Sequence, residues 1–186
     1  MMKLNRNRIP RGLWAAAVVL PLIALFLSAA IAADAQRRDY LTEDEIELVR
    51  DAQQIDLRIK VLARAVDRRI AVLKNETPKE SKEWGPLPQG TPAELYSDID
   101  KLLEKAIDDI DDVAERSRDS RFFPKAVFKL SDSCREYIPQ FKTFIDAVKN
   151  EKERGSLLGA IEKCDEVIEA STKVPREPEK NEKKKN

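Results

Sequence analysis

Apolar residues recur at steps of three or four from Ile46 through Val49, Ala52, Ile55, Ile59, Leu62, Val66 and Ile70 to Leu73. That spacing lays them along one face of a helix and predicts a single long amphipathic helix. Thr42, with Glu45 three residues on, makes a capping box at its start. Acids fill the first turns (Glu43, Asp44, Glu45, Glu47) and bases the end (Arg64, Arg68, Arg69, Lys74), the order that suits the helix dipole. Residues 75–91, NETPKESKEWGPLPQGT, hold three prolines and two glycines and predict a loop. A second helix starts at Thr91-Pro92-Ala93-Glu94, with cap, first-turn proline and third-position glutamate, and carries Leu95, Ile99, Leu102, Ala106, Ile110 and Val113.

A third stripe runs from near Pro124 through Val127, Leu130, Cys134, Ile138, Phe141, Ile145 and Val148. Pro139 interrupts one backbone bond there, but the stripe keeps its phase, so a kink is expected rather than a break. VKNEKERGS reads as the turn into a fourth helix, from about Ser156 to Ser171, with Leu158, Ile161, Cys164 and Ile168 inward. Strand-like alternation and internal repeats are absent from the sequence. The expected fold is all-α, an antiparallel up-down bundle of about four helices over residues 36–173. PREPEKNEKKKN, within residues 174–186, has no apolar residue and is expected to be a disordered charged tail.

The first 35 residues have another character. Lys3, Arg6, Arg8 and Arg11 precede an apolar run over residues 13–33, and Ala30-Ile31-Ala32 and Ala33-Asp34-Ala35 are small-residue exits. Basic head, apolar middle and small exit predict a secretory signal peptide over residues 1–35, hence a periplasmic or extracellular protein. The alternative is a retained anchor, because residues 13–33 are long enough to span a bilayer.

Without residues 1–35, thirty bases face 33 acids, net about −3, which argues against nucleic acid as a partner. The chain has no histidine, so histidine-based triads and histidine-ligated zinc are excluded. Cys134 and Cys164 are the only cysteines, and in an oxidising compartment one disulfide is the default. Both lie on apolar stripes, equally far from residue 149. A hairpin turning there brings them to one height, whereas a turn at Gly155-Ser156 offsets them.

LTEDEIELVRDAQQIDLRIKVLARAVDRRIAVL, SKEWGPLPQGTPAELYSDIDKLLEKAIDDIDDVAER and FFPKAVFKLSDSCREYIPQF together resemble a family of exported bacterial helical proteins of unknown function. The resemblance implies export and a helical fold; it brings no activity and no functional residue.

AIDDIDDVAER is the densest charge feature. Asp108 and Asp112, and Asp111 and Glu115, repeat at one helical turn, where like charges repel. The first expectation is a solvated face paired internally, with Lys125, Lys129, Arg50 and Arg58 as partners. A divalent-cation site at Asp108, Asp111, Asp112 and Glu115 is the sharper alternative. Trp84, in the Pro/Gly loop, is a candidate partner-binding residue, its other reading being a lid over its own bundle. Phe123 is expected to staple onto Val127. The sequence thus points to a non-enzymatic structural or interaction module, without cofactor, whose partner is another envelope protein. Alternatives are a helical cation- or ligand-binding protein and, behind it, a carboxylate-dependent hydrolase. A carboxylate inside an apolar stripe would favour the hydrolase, and none is expected in the second helix.

Overall fold

The computed structural model describes residues 38–78, 82–117 and 121–175. The expected signal peptide and anchor, and residues 176–186 of the expected tail, lie outside the described residues. Among the described residues every regular element is helical: α1 (Glu43–Asp51), α2 (Ile55–Leu73), a 3-10 turn (Lys82–Trp84), α3 (Pro92–Ser117), α4 (Phe123–Ala147) and α5 (Glu151–Thr172). Among the described residues no helix is long and apolar enough to cross a membrane.

The all-α expectation holds among the described residues, but five helices stand there where about four were expected. The long first helix is two. Ala52 leaves the helical conformation at φ −75°, ψ 80°, and Gln54 re-enters from extended backbone. Side chains close the break: Arg58 Nε donates to the Ala52 carbonyl at 3.1 Å, and Gln53 Nε2 to the Arg50 carbonyl at 2.9 Å. In one straight helix Glu45 and Arg68 would lie about 35 Å apart at 1.5 Å per residue. Here they touch at 2.7 Å, so α1 folds back along α2.

Other ends follow local chemistry. Asn75 stops α2 at φ 58°, where Glu76 N–H donates to Ala71 O and Asn75 N–H to Val72 O, the Schellman pattern with asparagine in the left-handed position. Thr91 and Glu94 cap α3 reciprocally, as their spacing predicts. Helix α4 continues past Pro139 without a break.

The α5 expectation needs two corrections. The helix starts at Glu151, where the Asn150 side chain accepts from Lys152 N–H at 2.9 Å, so Gly155 lies inside it. Its inward face is Leu157, Ala160, Cys164, Val167 and Ser171, while Leu158 is half exposed. Close approach explains the choice. A β-carbon on Gly159 would come within 3.0 Å of Asp100 Oδ1, and small residues let α5 sit this near α3.

Cross-helix contacts set the directions. Arg58 with Asp109, and Arg69 with Asp98, place α3 antiparallel to α2. Ser131 with Ser171, and Cys134 with Cys164, place α5 antiparallel to α4. Asp100 with Lys163, and Ile110 beside Val167, run α3 and α5 the same way. Ile59, Leu62, Ile99, Leu102, Leu130 and Phe141 fill the shared core with no exposed surface. Phe123 and Val174 pack against its edge, so the packed chain reaches past residue 173.

Candidate functional site

Charge is gathered inside the fold at one place. Glu45, Arg68 and Arg69 are almost wholly buried. Glu45 Oε1 accepts from Arg68 Nη1 at 2.7 Å and from Arg69 Nη1 at 2.6 Å. Its Oε2 accepts from Arg69 Nη2 at 2.8 Å and from Thr42 N–H at 3.0 Å. One carboxylate thus caps α1 and binds two guanidinium groups at once. Such charge-assisted, forked contacts are the strong ones, and burial demands them. Asp98 approaches Arg69 Nε at 3.9 Å and balances the second positive charge.

The two arginines reach outward to three segments. Arg69 Nη2 donates to the Tyr40 carbonyl at 2.6 Å, and its Nη1 to Ala65 O at 2.9 Å. Arg68 Nη2 donates to Pro86 O at 2.6 Å and Gly85 O at 3.2 Å. Trp84 stacks over the Arg68 guanidinium, 5.4 Å from ring centroid to carbon. Gly85, at φ +60°, brings the loop against α1, where a β-carbon would strike the Asp44 carboxylate. Glu45, Arg68 and Arg69 therefore pin the entering chain, α1 and the Trp84 loop to α2. Trp84 is half-buried against Arg68 of its own bundle.

The acid ridge is dispersed by comparison. Asp112 pairs with Arg116 at 3.3 Å on the surface. Asp109, one residue from the expected candidates, turns inward to Lys105 and lies 3.8 Å from Arg58. Asp108 and Glu115 are exposed. Asp111 lies at the rim of a cleft, and its carboxyl is raised above the usual range by partial desolvation first, then by Asp108 and Glu115. Among the described residues no three side chains are grouped to hold a metal ion. The four expected bases divide. Arg58 does face Asp109, but Arg50 pairs with Glu47 and the Lys125 ammonium lies over the Phe122 ring. Lys129 acts on Asp67 of α2.

Cys134 and Cys164 meet between α4 and α5, both with no exposed surface. The expected disulfide is not formed: these are free thiols, 2.8 Å apart. Their hydrogen bond, then burial, push the Cys164 thiol far up. Equal height is what a turn at residue 149 predicts, and α4 and α5 indeed flank residues 148–150. Tyr137, also buried, donates to Ala63 O at 2.8 Å and ties α4 to α2.

The cleft lies between the ends of α3, α4 and α5, with a volume of about 250 Å³. Its walls are Ile107, Ile110, Phe123, Val127 and Val167, and Asp111 and Glu166 stand at it from two helices.

The expectation of no carboxylate in an apolar stripe of the second helix is wrong. Asp98 and Asp109 of α3 are 3% and 6% exposed. Both face cations of the fold, Asp98 facing Arg69 and Asp109 facing Lys105 and Arg58, so no shared cleft is needed to explain them. Glu45 escaped notice because the capping box already accounted for it. One sign was legible: Arg69 stands three residues after Val66 and four before Leu73, a spacing that puts it on the face of the apolar stripe.

No family model, no curated protein and no solved structure matches the chain.

Proposed function

We propose that the chain is an exported helical bundle that works by binding at the cell envelope and catalyses no reaction. Support for export comes from the basic head, apolar run and small-residue exits of residues 3–35. Support for a non-catalytic role comes chiefly from Glu45. As the most buried carboxylate it would be the natural general acid or base, yet both its oxygens already accept two hydrogen bonds each. A carboxylate so occupied positions chain segments and has no lone pair left for a substrate proton. The partner in this reading is another envelope protein or an envelope ligand. N-terminal sequencing of the protein recovered from cell fractions tests it: a start near Ala33 or Gln36 outside the cytoplasm is expected, and an intact Met1 in the cytoplasm contradicts export.

The same compartment carries the Cys134–Cys164 bridge as a proposal. The thiols already adjoin, and joining them closes a loop that stabilises the fold by about 3 to 4 kcal/mol in the chain-entropy model. Thiol counting on the unfolded, unreduced exported protein checks this; none is expected, and two would end it.

A second reading, weak divalent-cation binding at the acid ridge, is favoured by one observation, the raised carboxyl of Asp111, which partial desolvation lifts first and the neighbouring charges of Asp108 and Glu115 lift further. Calcium at millimolar concentration separates the readings. The solvated-face account expects a negligible change in Tm, and a rise of many degrees abolished by Asp108→Asn with Asp112→Asn supports the cation site.

A further inference from the structure

We infer that the cleft between α3, α4 and α5 binds a small organic cation, an alkyl- or aryl-ammonium, with its hydrocarbon between Ile110, Val127 and Val167 and its ammonium between Asp111 and Glu166. The inference rests on the binding reading above and names a ligand class for it. A cavity of about 150 Å³ with apolar walls takes a benzene ring; at about 250 Å³ this one has room for a ring with a short chain. Hydrocarbon walls provide the affinity, and the few polar groups around them decide what may enter. Both polar side chains here are carboxylates, contributed by separate helices. No lysine or arginine among the described residues pairs with either. Partial desolvation first, and then Asp108 and Glu115, hold the Asp111 carboxyl high, and the two neighbours add a negative field that a bound cation would offset. A fatty acid or other anion would meet that field as repulsion. A neutral hydrocarbon would leave the carboxylates without a role.

Methyl-labelled full-length protein, titrated by NMR with 2-phenylethylammonium, 2-phenylethanol and phenylacetate, tests the inference. Saturable shifts are expected at the Ile110, Val127 and Val167 methyls, with the ammonium about fivefold tighter than the alcohol and phenylacetate weakest, two exposed charge pairs supplying the preference. That preference should shrink in high salt. Asp111→Asn with Glu166→Gln, at the surface, should retain the folded spectrum and bring ammonium and alcohol within twofold. Ala170→Trp, which fills the cleft, should abolish all three. No saturable shift at those methyls, or equal binding of ammonium and phenylacetate, overturns the inference and leaves the non-catalytic reading standing. Consumption of a cationic ester, phenylalanine methyl ester, by the full chain would instead contradict the non-catalytic reading while supporting the cleft.

Discussion

Glu45 with Arg68 and Arg69, and the ridge from Asp108 to Glu115, put similar amounts of charge to opposite uses. The first group is buried and saturated: one carboxylate is shared by two guanidinium groups, which also hold three backbone carbonyls from outside α2. The second is spread around a helix surface, where Asp112 and Arg116 form an exposed pair. Density of charge along the chain favours the ridge as a site. Number of partners per charge favours the buried group as the element that decides the fold. Repulsion in water costs tenths of a kcal/mol, whereas an unpaired charge in the interior costs several.

The largest break in this comparison is Glu45→Ala. It leaves two buried guanidinium groups without their shared carboxylate and removes the acceptor of the Thr42 N–H, half of the capping box of α1. About 3 to 5 kcal/mol of stability should be lost in urea unfolding, a large part of what a domain this size has. Next comes Gly85→Ala, which forces an alanine to φ +60° beside Asp44. A loss of about 1 to 2 kcal/mol is expected, most of it from the left-handed backbone. Tyr137→Phe removes one buried hydrogen bond to the Ala63 carbonyl, and about 1 kcal/mol should go with it.

The ridge should respond weakly and with opposite sign. Asp108→Asn with Asp112→Asn relieves repulsion but breaks the Arg116 pair, so stability should stay within about 0.5 kcal/mol of the parent. Asp111 adds a pH signature. Its folded carboxyl is raised above the ordinary aspartate value of 3.8, so the folded state holds the proton more tightly than the unfolded chain does. Its contribution is therefore fully present below about pH 3.8 and lost as pH rises through the raised value. Relative to the parent, Asp111→Asn should become more stable as pH rises across that window. A stability difference that is flat with pH would show that neither partial burial nor Asp108 and Glu115 raise this carboxyl.

Periodicity carried much of the fold in the sequence. The α3 and α4 stripes, the Thr91 cap and the common height of the two cysteines follow from steps of three and four and from local caps. The break at Ala52–Gln54 did not, because DAQQID contains neither glycine nor proline and its apolar stripe continues in phase. It is imposed from a distance, by the pull of Arg68 and Arg69 on Glu45. The α5 register failed for a related reason. Two stripes share Cys164, and the larger side chains of Leu158, Ile161 and Ile168 lost to Ala160 and Ser171, which fit the narrow space against α3 and α4. Of the candidate sites, the ridge was visible as composition. The buried group was not, because its members lie 23 residues apart and the helix break that joins them has no sequence mark.

Hydrogen exchange on Glu45→Gln tests the central claim most directly, since glutamine keeps the size and removes the charge. If Glu45 pins the entering chain and the Trp84 loop to α2, amides in residues 43–51 and 82–85 should lose protection by at least tenfold while those of residues 99–110 keep theirs. Unchanged protection in residues 43–51 and 82–85 would contradict the account.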